Sequence, residues 1–221
     1  MPLSQDSEAF FKSLGYRWKR FRKSLKERQN PTERLEGAKR LDQLIQLWTR
    51  GHIELFFADE SGFSLKPSVP YGWQPIGQQK GICPKDSERI NVLGFMSLDM
   101  QLETFFRSKS MDSKFVAQAI EKMIPPEGVF RVLVFDNAPI HRAEELYQRM
   151  IEWQEKGLFI FFLPRYSPHL NRIEILWRMI KHHWLKPQDY RSFTTLKKRL
   201  TYILENFGEE FRIDFKELNI T

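Results

Sequence analysis

The chain contains the stretch Arg131-Val132-Leu133-Val134-Phe135-Asp136, a short apolar run that ends in an acid. The run shows no alternation of apolar and polar residues, which predicts a strand buried on both faces, at the centre of a sheet and beside a parallel neighbour. Asp136 then falls where the sheet stops being buried. This stretch therefore predicts a layered α/β architecture with a carboxylate at the end of a central strand.

Four more strands are predicted along the chain. Strand signals run from Ile53 to Ser61, from Arg89 to Leu98 and from Leu102 to Arg107, and the short break between the last two is typical of a hairpin. A further run, from Leu158 to Leu163, is again apolar on both faces. We expect the first three strands to form an antiparallel meander and the last of the five to lie in the buried part of the sheet.

Helices are predicted between and after these strands, from apolar residues at helical spacing. They cover residues 33–50 with Thr32 as N-cap, 113–124, 143–156, 170–184 and 194–207. Three strands followed by alternating helix and strand form a mixed sheet with helices on both faces, and five strands in that order give a ribonuclease-H-like fold. We expect this fold over residues 51–221, preceded by a basic arm and a leading helix over residues 1–50.

Composition and charge restrict the class of protein. The chain has 221 residues, a formal net charge of +7 and a mean hydropathy of -0.50, which predict one sizeable core and a polyanionic partner such as nucleic acid. The single cysteine, Cys83, excludes an internal disulfide and a cysteine zinc site. The sequence shows neither a secretory signal nor an apolar run long enough to cross a bilayer, so we expect a cytoplasmic, nucleoid-associated protein with no membrane partner.

A basic stretch interleaved with aromatic residues lies near the amino terminus. Cations along an extended or helical arm can bind phosphates, and the residues expected to bind DNA in this way are Arg17, Lys19, Arg20, Arg22, Lys23, Lys26 and Arg28. The alternative is a solvated helix face, which composition alone favours equally.

Two further acids stand at positions comparable to that of Asp136. Asp59 closes the apolar run 55–58, and Glu174 lies at the start of the helix that follows the fifth strand. If the first and fourth strands are neighbours, the two aspartates face each other and Glu174 can reach over them. Hard cations such as Mg²⁺ take oxygen ligands, and two ions about 4 Å apart can activate a hydroxyl and stabilise the leaving oxygen of a phosphodiester.

Each acid also has an ordinary structural explanation. Asp136 precedes Asn137-Ala138-Pro139, and Asp at a strand end is a common turn former. Glu174 is spaced for an ion pair with Arg178, four residues later. Lys181 shares a helix face with these two residues. Arg178 and Lys181 could steady the acid or contact DNA, but ordinary surface pairing is the interpretation we favour for both.

The residues around the three acids resemble the catalytic blocks of DDE transposases, and most closely those of the bacterial insertion-sequence branch of the mariner superfamily. The resemblance covers about residues 17–221 and rests on three blocks: Phe57-Ala58-Asp59-Glu60-Ser61, Phe135-Asp136-Asn137-Ala138-Pro139-Ile140-His141, and Leu163-Pro164-Arg165-Tyr166-Ser167-Pro168-His169-Leu170-Asn171-Arg172-Ile173-Glu174-Ile175-Leu176-Trp177.

The resemblance implies a function and a site. Members of this family cut the ends of their own mobile element and join the free 3′-hydroxyls to target DNA, using two Mg²⁺ or Mn²⁺ ions. By this match the metal-binding catalytic acids are Asp59, Asp136 and Glu174. The residues expected to support them are Asn137, His141 and Asn171. The implied partners are double-stranded DNA, as transposon ends and as target, and a second copy of the chain once DNA is bound.

Two features depart from the family's pattern. Relatives usually have proline where this chain has Arg172, and they begin with paired helix-turn-helix units, of which only the final piece, residues 10–18, is recognisable here. Residues 62–88, rich in Pro and Gly, lie where relatives carry a loop used in subunit contact or DNA clamping. We therefore expect a transposase catalytic domain. The alternatives are a non-catalytic DNA-binding or dimerisation fragment of a truncated transposase, and a plain nuclease or junction resolvase on the same fold.

Overall fold

The protein is built on one five-stranded sheet, seen in a computed structural model that describes residue 13 and residues 30–66, 88–137 and 144–215. The strands are β1 (Glu54–Ser64), β2 (Arg89–Ser97), β3 (Leu102–Arg107), β4 (Arg131–Phe135) and β5 (Leu158–Phe162). They lie in the order β3-β2-β1-β4-β5. β1 to β3 form the antiparallel meander, whereas β4 is parallel to both β1 and β5. The predicted mixed sheet, with its first and fourth strands adjacent, is confirmed.

The helices follow the predicted order, with additional short turns. They are α1 (Pro31–Thr49), α2 (Ser113–Lys122), α3 (Glu144–Glu155), α4 (Ile173–Met179) and α5 (Phe193–Glu205), with 3₁₀ turns at Pro168–Leu170 and Pro187–Arg191 and a π-helix at Ile180–Trp184. The helix predicted over residues 170–184 begins later, at Ile173, and its last five residues form the π-helix, in which the Leu185 N–H bonds to the Ile180 carbonyl five residues earlier (3.0 Å). Among the described helices, none combines the length and apolar character that a bilayer crossing requires.

Both faces of the sheet are covered, as the uninterrupted apolar run in β4 requires. On one face, Phe57 of β1 belongs to a core that includes Leu176 of α4 and residues of α5. On the other face, Phe56 belongs to a second core that includes Trp153 of α3 and residues of α2. Residues 132–135 contribute alternately to the two cores and are all buried. The helices therefore lie on both sides of the sheet, as predicted.

β1 is longer than predicted and continues through Gly62 to Ser64 instead of ending at Ser61. A Cβ at Gly62 would lie 2.1 Å from a guanidinium nitrogen of Arg89, which fills the space beside the strand. The glycine is therefore a place where another residue approaches the backbone closely, and it does not end the strand.

α1 begins earlier than predicted because Asn30, and not Thr32, is its N-cap. The Asn30 side-chain oxygen accepts hydrogen bonds from two backbone N–H groups of the first turn, at 3.0 and 3.4 Å. Pro31 occupies the first helical position, where its missing N–H costs nothing. The helix approaches the sheet closely at Gly37, where a Cβ would lie 2.1 Å from Pro164.

The register of β1 against β4 is fixed at the first residues of the two strands. Glu54 lies opposite Arg131, whose guanidinium donates to that carboxylate at 2.6 Å and to the Met123 carbonyl at 2.8 Å. The same guanidinium lies 5.0 Å from the centroid of the Phe56 ring. A slip of one residue would break these contacts and turn every side chain of the strand to the other face.

We predict that Arg131→Met lowers the free energy of unfolding by about 1–3 kcal/mol, because it takes the guanidinium donors away from Glu54 and from the Met123 carbonyl. Thermal unfolding followed by circular dichroism measures the loss. The matched control is Arg149→Met. Arg149 and Glu121 form an exposed ion pair, and the loss of this pair should cost less than about 0.5 kcal/mol. Equal losses in the two variants would contradict the role assigned to Arg131.

Candidate active site

The pairing of β1 with β4 brings Asp59 and Asp136 to one edge of the sheet. The last paired residues are Ala58 and Phe135, so one residue further along, where the parallel pairing ends, the two acids stand opposite each other on strands about 4.8 Å apart. The residues two positions earlier on each strand lie in the core under α4. Because side chains alternate along a strand, both acids face the side of the sheet that α4 covers.

A hydrogen bond connects the segment before α4 to the part of β1 that carries Asp59. The Asn171 side chain, 2% exposed, donates from Nδ2 to the Ala58 carbonyl at 2.9 Å. This bond joins the residue before Asp59 to the segment that leads directly into α4. A buried side-chain amide is held firmly only when it is hydrogen-bonded, so the contact fixes the two segments relative to each other.

α4 also approaches the sheet closely over β2. Gly94 lies directly opposite Asp59 in the β1–β2 pair, and a Cβ there would lie 2.9 Å from the ring of Trp177 and 3.0 Å from Ile173. The missing side chain leaves room for these two apolar residues of α4. The helix therefore lies close to the sheet, and this brings Glu174, the residue after Ile173, toward the two aspartates.

Glu174 interacts electrostatically with Asp136. Its side chain is accessible to solvent, but enough protein surrounds the carboxylate that loss of hydration is the main cause of its raised pKa, and repulsion from Asp136 raises it further. Lys181 and Arg178 oppose both effects by attraction. We call Asp59, Asp136 and Glu174 together the acidic site.

Lys181 belongs to the acidic site and not to the surface pairing that the sequence suggested. The side chain is half-buried, and its Nζ lies 5.3 Å from the centroid of the Phe63 ring. Burial lowers the pKa of Lys181, and attraction from Glu174 and Asp59 opposes that shift, while Arg89 adds to it. Its place on the same helix face as Glu174 was the signal available in the sequence.

The other predicted supporting residues lie in different situations. Asn137 is half-buried directly after Asp136, and its Oδ1 has no hydrogen-bond partner among the described residues. It lines a cleft of about 380 Å³ that Arg40 of α1 and Arg165 also border. Asn171 makes the bond to Ala58 described above, while its Oδ1 also has no partner within the described part of the chain. His141 and the seven basic residues of the predicted arm lie outside the described residues.

The chemistry of the acidic site suits a hard divalent cation. All three side chains offer carboxylate oxygens, which Mg²⁺ and Mn²⁺ prefer, and a cation would relieve the repulsion that raises the pKa of Glu174. Within the part of the chain that the structure describes, however, no three Asp, Glu, His or Cys side chains lie close enough together to hold a metal ion. The acids are gathered at one edge of the sheet without closing into a coordination cage.

We predict that Gly94→Ala lowers stability by about 1–3 kcal/mol, because the added Cβ would push against Trp177 and Ile173. The direction is diagnostic, since alanine ordinarily stabilises a strand interior relative to glycine by roughly 0.5–1 kcal/mol. Denaturant unfolding measures the change, and Gly94→Val should cost more than Gly94→Ala. A Gly94→Ala variant as stable as the wild type would contradict the close approach of α4.

We predict that Glu174→Gln stabilises the protein at pH 7 in the presence of a chelator. A carboxyl whose pKa is raised on folding contributes stability that is present below its unfolded value, near 4.5, and is lost as the pH rises through the folded value. Charged Glu174 is therefore unfavourable at pH 7, and the gain from the neutral amide should shrink on acidification. Thermal unfolding of both proteins across pH tests this, and a pH-independent difference would contradict it.

Comparison with known proteins places the chain in a family. Residues 54–197 match the family model described as DDE superfamily endonuclease. The chain is also 23% identical, over 157 residues, to the insertion element IS630 uncharacterized 39 kDa protein of Shigella sonnei. That alignment covers 68% of this chain and 44% of the relative, so the chain spans less than half of that protein's length.

Solved structures share the fold at low sequence identity. The Mos1 transposase paired-end complex with left transposon end superposes with a TM-score of 0.60 at 17% identity, covering 94% of this chain and 64% of that chain. The catalytic domain of Mos1 mariner transposase superposes with a TM-score of 0.51 at 12% identity, covering 85% of each. These likenesses confirm the predicted ribonuclease-H-like fold. Since the family model covers more than half of the sequence, the chain belongs to the DDE superfamily endonucleases.

Proposed function

We propose that this chain is the catalytic domain of an insertion-sequence transposase, which cuts DNA strands at the ends of its element and joins them to a target. The observation that carries the proposal is the pairing of β1 with β4, because it sets Asp59 and Asp136 opposite each other on the side of the sheet where α4 carries Glu174. In a member of a family of endonucleases, three carboxylates gathered in this way are best explained as ligands for catalytic cations.

Asp59, Asp136 and Glu174 would together hold two ions, Mg²⁺ or Mn²⁺, which when bound supply activation of the attacking hydroxyl and neutralisation of the leaving oxygen. Hydrolysis and strand transfer each exchange one phosphorus–oxygen bond for another, with water or a DNA 3′-hydroxyl as the nucleophile. The acids can therefore serve both reactions, and the chain needs no nucleophilic side chain of its own. Asn171 keeps its place under this proposal as a positioning residue, through its bond to Ala58.

Double-stranded DNA is the proposed partner, as transposon end and as target. The net charge of +7 favours a polyanion, and Mos1 transposase has been solved as paired-end complexes, among them one with Mn and one with Mg. We extend the proposal to the basic residues between positions 17 and 28 as phosphate contacts, to a homodimer on DNA, to a nucleoid-associated location, and to residues 1–50 as an arm and leading helix before the catalytic domain at 51–221.

One observation favours a second candidate, a DNA-binding or dimerisation module of a transposase that performs no chemistry. The described acids do not form a group of three close enough to hold a metal ion. Under this candidate the protein would bind DNA through its positive charge and leave it uncut. The two functions differ in whether DNA is cleaved and in whether the acidic site matters.

We predict that the purified chain nicks labelled DNA carrying the ends of its own element in the presence of Mg²⁺ or Mn²⁺, and not in EDTA. Asp59→Asn, Asp136→Asn and Glu174→Gln should each lower the rate by about 10²–10³-fold or more, because several kcal/mol of transition-state stabilisation depend on each charge. Gel electrophoresis of the end-labelled strands measures the rate.

The matched control is Glu60→Gln, which removes one carboxylate from the residue next to Asp59. Adjacent residues of a strand face opposite sides, so Glu60 faces away from α4 and its loss should leave the rate within about twofold of wild type. DNA binding without cleavage, or cleavage that is equally fast in all four variants, would favour the second candidate or a contaminating nuclease and would overturn the proposed function.

A further inference from the structure

Lys181 places a positive charge beside the acidic site. It lies seven residues after Glu174, about two helical turns, so the two side chains leave the same face of the helix. Helical side chains lean toward the amino end, which directs the Lys181 stem back toward Glu174. Its Nζ lies 5.3 Å from the centroid of Phe63, a residue of β1 on the same side of the sheet as Asp59. The Lys181 ammonium thus lies over β1, the strand of Asp59, and belongs to the helical segment that carries Glu174.

Two of the three acids act on this ammonium together. Glu174 and Asp59 both attract it, and Lys181 is the largest attractive influence on Glu174, ahead of Arg178. Arg178 differs because it is exposed, and its attraction for Glu174 is smaller than that of Lys181. A half-buried ammonium is unfavourable unless an opposite charge compensates for the lost hydration. Lys181 and the acidic site therefore depend on each other in the absence of a cation.

We propose that Lys181 is the internal counter-ion of Asp59 and Glu174, and that it competes with divalent cations for these two carboxylates. This inference rests on the proposed function, since it concerns the same acids. Without a cation, the ammonium offsets part of the repulsion among the acids. The Lys181 ammonium has to move away from the two carboxylates before a cation can bind them, because two positive charges on shared ligands repel each other.

The state of the acids agrees with this role. The described acids are gathered at one edge of the sheet but do not close to metal-binding distances. A positive charge that belongs to the chain attracts two of them from the side of Phe63. An acidic site with its own counter-ion can persist in this open arrangement, whereas three uncompensated carboxylates would destabilise the segments that carry them.

The test is cation binding to the whole chain without DNA. Lys181→Met removes the charge and keeps an unbranched apolar stem. In a titration with Mn²⁺, read by the electron paramagnetic resonance signal of the free ion, we expect the variant to bind about three- to tenfold more tightly.

The matched control is Arg178→Met, which removes one positive charge from the same helix, near the same Glu174. It should change the affinity for Mn²⁺ by less than about twofold, because an exposed charge is screened by solvent. Equal tightening in the two variants would reduce the effect to net charge and overturn the proposal. Unchanged or weaker binding by Lys181→Met would overturn it as well.

Two further variants keep the test decisive. Lys181→Gln is a second neutral replacement if the Met variant does not fold, and Lys181→Arg, which keeps the charge, should retain the wild-type affinity. An Arg variant that binds Mn²⁺ as tightly as the neutral ones refutes the counter-ion role.

Asp136→Asn separates this inference from the proposed function. If it binds Mn²⁺ like the wild type, the metal site itself fails and the inference fails with it. If it loses binding while Lys181→Met gains none, only the counter-ion role fails.

Discussion

Asp59 and Asp136 meet only because β1 and β4 pair in parallel, with their last paired residues directly before the two acids. Everything else at the site is arranged around that edge. Gly94 lets α4 approach the sheet, and the buried amide of Asn171 ties the start of the helix to β1. Glu174 is therefore positioned by packing and by one hydrogen bond, and its carboxylate bears the electrostatic cost of lying near another acid.

The architecture could be predicted from residue patterns because burial on both faces leaves a clear trace in the sequence. The run 132–135 has no polar residue on either face, and the other strands follow from their own apolar runs and from the hairpin break. The π-helix at Ile180–Trp184 could not be predicted, because it changes the hydrogen bonds and leaves the apolar residues near helical spacing. The sequence predicts Thr32 as the N-cap of α1, but Pro31 fits the first helical position and so Asn30 takes that role.

The acids of the site could be located because each lies at the end of an apolar run or inside a recognisable block. The part played by Lys181 could not, since it depends on Phe63, which falls beyond the predicted end of β1. Gly62 caused that error: glycine is a usual strand breaker, but here the Arg89 guanidinium occupies the space that a side chain would take. Such contacts between distant residues leave no local pattern that a single sequence reveals.

The pairing of β1 with β4 determines when the three acids can come together during synthesis. Glu54 and Arg131, which open β1 and β4, are 77 residues apart in the chain, and α4 comes later still. Closing such long loops costs entropy before any contact forms in return. During synthesis the carboxylates emerge from the ribosome one after another, as separate, hydrated side chains. The nascent polypeptide cannot gather its acids until α4 has left the ribosome, so translation itself delays the moment at which the chain could act on nucleic acid.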